Sequence, residues 1–244
     1  MSILLMGGNN MLNLISLEWR KHQMERYFTS FFFCVIGIYG FVAFISLASK
    51  NDADGAMRSF QEFMTLVNIL SNITFIILGS VILSRLIISE FRTKTMQVLF
   101  TYPIKRKKLL FAKLTLAYLF TAGCLFAGVW LMQIITYFLQ PSLGLFEGTV
   151  SMNDLAATFP KTLTNAIMMG AIALIPLFFG MRKKSTAATI TSAVIISFLI
   201  NATVSDGGAT FSLADVVLIP LLLALLGIGI AYLSFRNIDV KDAG

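Results

Sequence analysis

At 244 residues, with 57% hydrophobic, only 13% charged and a mean hydropathy of +0.83, the chain lies far from soluble globular proteins, in which about a quarter of residues are charged. The formal net charge of +7 raises nucleic acid or an anionic membrane face as partners. Lys and Arg fall between apolar runs and never in their centres, so membrane topology explains the charge and a nucleic-acid reading loses its main support.

In chain order, "MSILLMGGNN" lacks the charged region and cleavage site of a signal peptide. Residues 1–10 read as a leader or alternative-start segment ahead of Met11, leaving 11–244 as a single transmembrane domain. From 12 to 28, "LNLISLEWRKHQMERYF" sets Leu12, Ile15 and Trp19 at helical spacing, with the charged residues and His22 on the solvated face. That pattern predicts an interfacial helix on the inner leaflet with Trp19 at headgroup depth; the alternative is a cytoplasmic extension of the first span.

Six windows follow, near 28–48, 66–88, 114–138, 162–180, 186–204 and 216–235. Each is long enough for a hydrocarbon core of about 30 Å, which takes about 20 helical residues. Their sole charged residue is Arg85, near a span end where its side chain can snorkel. An open strand would leave backbone groups unpaired in lipid, and the alternation of a barrel is missing. The expected fold is therefore all-α and polytopic. Pro176 and Pro220 are expected to kink the fourth and sixth spans. Cys34 and Cys124 lie in apolar stretches without redox or metal spacing and read as inert thiols.

Alternate connections carry sixteen and three of the Lys and Arg residues. The positive-inside rule places both termini and the 89–113 connection in the cytoplasm. The outer loops are short, about 17, 23 and 11 residues, and leave no room for a large extracellular capture domain.

The cytoplasmic connection "SEFRTKTMQVLFTYPIKRKKLLFAK" (89–113) is patterned. Met96, Leu99 and Phe100 fall at i, i+3 and i+4 and give a helix over about 91–102 one apolar face. Thr93 or Thr95 can cap its start, and Pro103 ends it. The basic run at 105–108 meets anionic headgroups. The apolar face suits a partner's groove or the lipid interface, and pattern alone does not choose.

Catalytic machinery has no candidate in the sequence. "GMRKKST" (180–186) has no glycine cradle for phosphate, and H-E-x-x-H and G-x-S-x-G are missing. No Asp, Glu or His lies within a span, as an ion-coupled carrier would require.

Glu90, Thr95, Leu99, Pro103, Arg106, Leu109 and Lys113 resemble the E-x-x-x-G-T-x-E-x-L-x-x-x-P-x-x-R-x-x-L-x-x-x-K pattern of ABC-2 type transporter permeases. Lys94 stands for the usual glycine and Gln97 for the usual glutamate. The resemblance implies that this segment is a coupling helix docking a separate ATPase through Glu90, Thr95, Met96, Gln97, Leu99, Phe100 and Pro103. It further implies two P-loop ATPase subunits that bind ATP and Mg, a second permease subunit forming a homodimer, a place in the cell membrane, and export of a peptide or other amphipathic substrate. The chain itself would hold no cofactor and catalyse nothing.

In similar permeases the second and fifth helices border the central cavity. Asn68 and Asn72 of the second span, which share a face with Ser71, and Asn201 of the fifth, beyond Ser192 and Ser197, are the candidate path residues. The alternative is that these amides only bond between helices. Outside the resemblance, an ion-coupled secondary transporter and a non-transporting scaffold or sensor remain as other function classes.

Overall fold

The computed structural model describes residues 25–49, 59–88, 106–146, 148, 150–183, 185–206, 209–212 and 218–236, together with Ile15 and Trp19. Ile15 and Trp19 are both helical and half-buried, at the i, i+4 spacing that the sequence predicts. Trp19 lies 6.1 Å from the Phe28 ring and 5.9 Å from that of Phe120. Residues 25–28, the end of the expected interfacial stretch, are helical and continuous with the first span, and apart from Ile15 and Trp19 its other residues lie outside the described residues.

Helix α1 spans Glu25–Ala48. Helix α2, Phe60–Leu83, opens on a capping box: the Ser59 hydroxyl accepts from the Glu62 N–H and the Glu62 carboxylate accepts from the Ser59 N–H, both at 3.3 Å. These reciprocal bonds satisfy donors that a helix start leaves orphaned. At its C-terminal end α2 passes into a π-helical turn, Ser84–Ile88. Helix α3, Arg106–Leu143, has 38 residues; at 1.5 Å each it measures about 57 Å and projects beyond the hydrocarbon layer.

Helix α4, Met152–Ile172, starts on a second capping box between Ser151 and Asp154. The fourth window thus belongs to a helix that begins ten residues before the predicted 162. The expected kink at Pro176 is a break. The helix stops at Ile172, Leu174 and Ile175 donate to Ala171 and Ile172 at 3.1 and 2.9 Å, and Pro176 opens the short helix α5, Pro176–Lys183. A proline suits that position because its missing N–H would have been an orphan there.

Helix α6, Thr186–Ile200, ends on Asn201, and the prediction that the fifth span runs to 204 is corrected. Strands β1, Thr203–Asp206, and β2, Ala209–Ser212, pair antiparallel with Thr203 opposite Ser212. The fold is all-α in its bundle and carries this one hairpin among the described residues. Helix α7, Leu218–Arg236, contains Pro220 in its first turn, where no intrahelical bond is lost; the expected kink is absent for that reason.

Among the described residues four helical stretches are long and apolar enough to cross a membrane: Tyr27–Ala48, Phe60–Ile88, Leu109–Leu143 and Met152–Lys183. Thr186–Ile200 and Ile219–Ile230 are apolar but shorter. Helix α2 is central, packed mainly on α3 and α6 with α1 alongside, while α4 packs on α3 and α7. Phe63, Val67, Phe75, Ile76, Leu125, Val129 and Met132 form much of the buried α2–α3 contact region. Small residues set the close approaches, as expected where lipid supplies no hydrophobic drive for helix association. Gly79 backs onto Thr121, Gly170 onto Ala122 and Tyr118, and Gly227 onto the Ala171 carbonyl.

The α3–α4 connection is built rather than loose. The Gln140 amide nitrogen donates to the carbonyls of Phe146 (2.7 Å) and Gly148 (3.1 Å), and its oxygen accepts from the Leu145 N–H (2.9 Å). The Ser46 hydroxyl donates to the Leu145 carbonyl. The Phe146 ring packs between Phe60 at 5.8 Å and Phe63 at 5.7 Å. This closes one end of the bundle over α1 and α2.

Candidate functional site

Three side-chain amides meet inside the bundle. Asn72 on α2 donates from Nδ2 to Asn201 Oδ1 at 3.3 Å and accepts at Oδ1 from Asn165 Nδ2 at 2.9 Å. Asn201, the C-cap of α6, turns its own Nδ2 to the Ser197 carbonyl at 2.8 Å, and its backbone N–H reaches the same carbonyl at 3.2 Å. Asn72 is 3% exposed and Asn201 7%. One neutral network therefore ties α2, α4 and the end of α6 together, with Asn72 and Asn201 buried and Asn165 half-buried.

The structure brings together two of the three predicted path residues. Asn68 is half-buried and donates to the Met64 carbonyl of its own helix at 2.8 Å. Ser192 and Ser197 likewise bond back to Thr189 and Val194 on α6 at 2.9 Å. Asn165 was missed by the sequence reading. The signal was available, as an amide near the start of an apolar window is expensive in lipid unless it finds a partner.

Elsewhere on α2 and α3 several buried polar atoms have no hydrogen-bond partner among the described residues: Ser71 Oγ and Ser80 Oγ on α2, Trp130 Nε1 and both amide atoms of Gln133 on α3. Groups of this kind call for a partner in some state of the molecule, since leaving one unpaired costs about 1–3 kcal/mol. The chemistry available here is hydrogen bonding only. Among the described residues no cluster of three His, Cys, Asp or Glu is placed to hold a metal. An amide network can latch, select or rearrange; it has no group suited to proton transfer or nucleophilic attack at neutral pH.

At the opposite end of α2, Lys113 of α3 is fully buried and donates to the Leu86 carbonyl at 3.2 Å. Arg85 is exposed, with its guanidinium 5.9 Å from the centroid of the Tyr27 ring. The expected docking residues Glu90, Thr95, Met96, Gln97, Leu99, Phe100 and Pro103 lie outside the described residues.

Long apolar helices joined by buried amides define a polytopic membrane protein. The sequence profile of the ABC-2 family transporter proteins matches residues 14–201, more than half of the chain. The chain belongs to that family, whose members are non-catalytic membrane subunits that normally work with an ATPase subunit. It is similar to the uncharacterized protein YcbO of Bacillus subtilis (strain 168), at 36% identity over 236 residues, covering 95% of this chain and 100% of that protein. No solved structure matches the chain.

Proposed function

We propose that this chain is the transmembrane subunit of an ATP-driven exporter in the cell membrane, with six spans and both termini in the cytoplasm. It forms a translocation path for a peptide or other amphipathic substrate, and two copies pair as a homodimer with two P-loop ATPase subunits, which bind the ATP and Mg. The observation that carries this reading is the match to the ABC-2 family over residues 14–201. The Asn165–Asn72–Asn201 junction supports a path bordered by α2 and α6, with Asn68 one turn away on α2. Four long apolar helices and two shorter ones are compatible with six crossings.

ATPase docking belongs to the helix at about 91–102, with Met96, Leu99 and Phe100 as the inserted face and Glu90, Thr95, Gln97 and Pro103 around it. Replacing Leu99 and Phe100 by Asp places charge against an apolar groove, an uncompensated cost of several kcal/mol. The apolar spans remain intact, so membrane levels stay normal. Affinity purification of the double variant is expected to lose at least nine-tenths of the ATPase that accompanies the unaltered permease. Recovery of the full complex would move the apolar face to the lipid interface. The permease freed of its partner is expected to hydrolyse no ATP.

A further inference from the structure

The geometry points to Lys113 as a positioning residue. It holds the π-helical turn Ser84–Ile88 and, through that turn, passes movement of the cytoplasmic segment 89–105 into the bundle. The inference rests on the reading of that segment as the ATPase-docking element.

A lysine near a membrane surface normally extends its amine to water. Lys113 instead is fully buried, and its Nζ donates to the Leu86 carbonyl at 3.2 Å. The place suits a cation, because carbonyls toward the C-terminal end of a helix carry the negative side of its dipole. A π turn holds one residue more than the α-helical register, and such turns are rare overall and often lie at functional sites. It therefore needs support from its surroundings.

That support comes from two sides. Lys113 grips the turn from α3. On the other side Gly180 of α5 lies so close to Ile88 and Thr189 that a methyl group there would stand 3.0 Å from the Ile88 Cδ1 and overlap the Thr189 hydroxyl. The turn is thus clasped between α3 and the α5–α6 corner, where the described part of α2 ends and the cytoplasmic segment begins. Helices α2 and α6 meet again at Asn72 and Asn201, about three to four helical turns away. Stiff helices fixed at both points carry a rotation from one to the other.

Returning the turn to α-helical register removes one residue from it and rotates what lies beyond by about 100°. The Lys113–Leu86 bond blocks that change while it is closed. In the nucleotide-free protein the clasp is closed; ATP binding by the partner draws on segment 89–105 and opens it.

Two measurements test this. In the permease alone, in lipid nanodiscs, hydrogen exchange of the amides of 84–88 is expected to rise about tenfold in Lys113→Met, through local opening. Lys113→Gln, which keeps an N–H donor, stays within about threefold of the unaltered protein by the same measure. Equal exchange in all three proteins overturns the clasp, and a Gln variant that matches the Met variant overturns its hydrogen-bond basis. The second measurement uses the unaltered complex with its co-purifying ATPase, so it does not depend on any variant folding. Acetylation of Lys113 by a membrane-permeant reagent, read by mass spectrometry, is expected to be slow without nucleotide and about tenfold faster with ATP and vanadate.

If exchange in 89–105 responds to ATP but Lys113 labelling does not, the transmission role fails and the exporter reading stands. If no ATPase accompanies the chain, or exchange in 89–105 ignores ATP, the exporter reading and the transmission role fail together. The exchange comparison in the permease alone still decides the clasp.

Discussion

Asn72 commits both ends of its amide to other helices, whereas Asn68, one turn earlier on the same face, bonds only to its own helix. The two residues therefore differ in consequence although sequence spacing makes them equivalent. Interhelical hydrogen bonds in membranes are worth about 0.6 kcal/mol on average, rising to about 1.7. Asn72→Ala, which removes two and leaves Asn165 and Asn201 each short of a partner, is expected to cost about 1–2 kcal/mol. Asn68→Ala is expected to cost about 0.5 kcal/mol or less, because only a local back-bond is lost. Unfolding by SDS titration in mixed micelles separates them; equal losses would mean that the junction contributes nothing. Asn72 and Asn201 were legible as amides in apolar windows. Which of two same-face amides meets a neighbouring helix was not, because that depends on where α4 and α6 cross α2. Asn165 is the third member for the same reason.

The elements are held at their crossings by residues with no side chain. Gly227 of α7 lies against the Ala171 carbonyl of α4, while Gly229, two residues on, has open space around it. A methyl group at 227 meets backbone, which cannot rotate away as a side chain can. Gly227→Ala is expected to destabilise by about 1–3 kcal/mol through overpacking. Gly229→Ala is expected to be neutral or to stabilise by about 0.5–1 kcal/mol, since alanine is the better helix former. Thermal unfolding followed by size-exclusion chromatography in detergent reads both; a loss at 229 as large as at 227 would remove the close-contact explanation. The helices themselves were legible because their apolar runs are long. Their ends were less so: the Ser151 capping box, in a polar stretch, starts α4 well before the hydrophobic signal does. Pro176 announces a disruption, yet the same residue type opens α5 and sits harmlessly in the first turn of α7 as Pro220. A proline's effect depends on its distance from the helix start, which hydropathy alone does not give. The hairpin was missed although Asp206 and Ala209 are separated by Gly207-Gly208, one of the tight-turn dipeptides. An apolar window that ran on to 204 hid it.

For the molecule as a whole, the sixteen-to-three split of basic residues and the geometry of the bundle make one joint statement about sidedness. The described part of helix α2 ends at the π turn beside Lys113, and the basic run 105–108 leads into α3, so the positive-inside rule predicts that this end of the bundle faces the cytoplasm. The end closed by Gln140, Leu145 and Phe146 is then expected to face outward. Single cysteines test this in a background with Cys34 and Cys124 replaced by Ala. Ser142 and Asn153 are exposed at one end and Lys183 is exposed at the other, so none of the three is shielded by the protein. Lys183 is a better inner probe than Ser185, whose hydroxyl caps α6 and whose loss would cost about 1 kcal/mol. Cysteines at Ser142 and Asn153 are expected to react with a membrane-impermeant maleimide in intact cells. A cysteine at Lys183 should react only after permeabilisation, with about a tenfold or greater contrast if screening is complete. Labelling at Lys183 in intact cells with protection at the other two would invert the molecule. It would put segment 89–105 outside, where no ATPase could reach it, and the exporter reading would fall with the orientation.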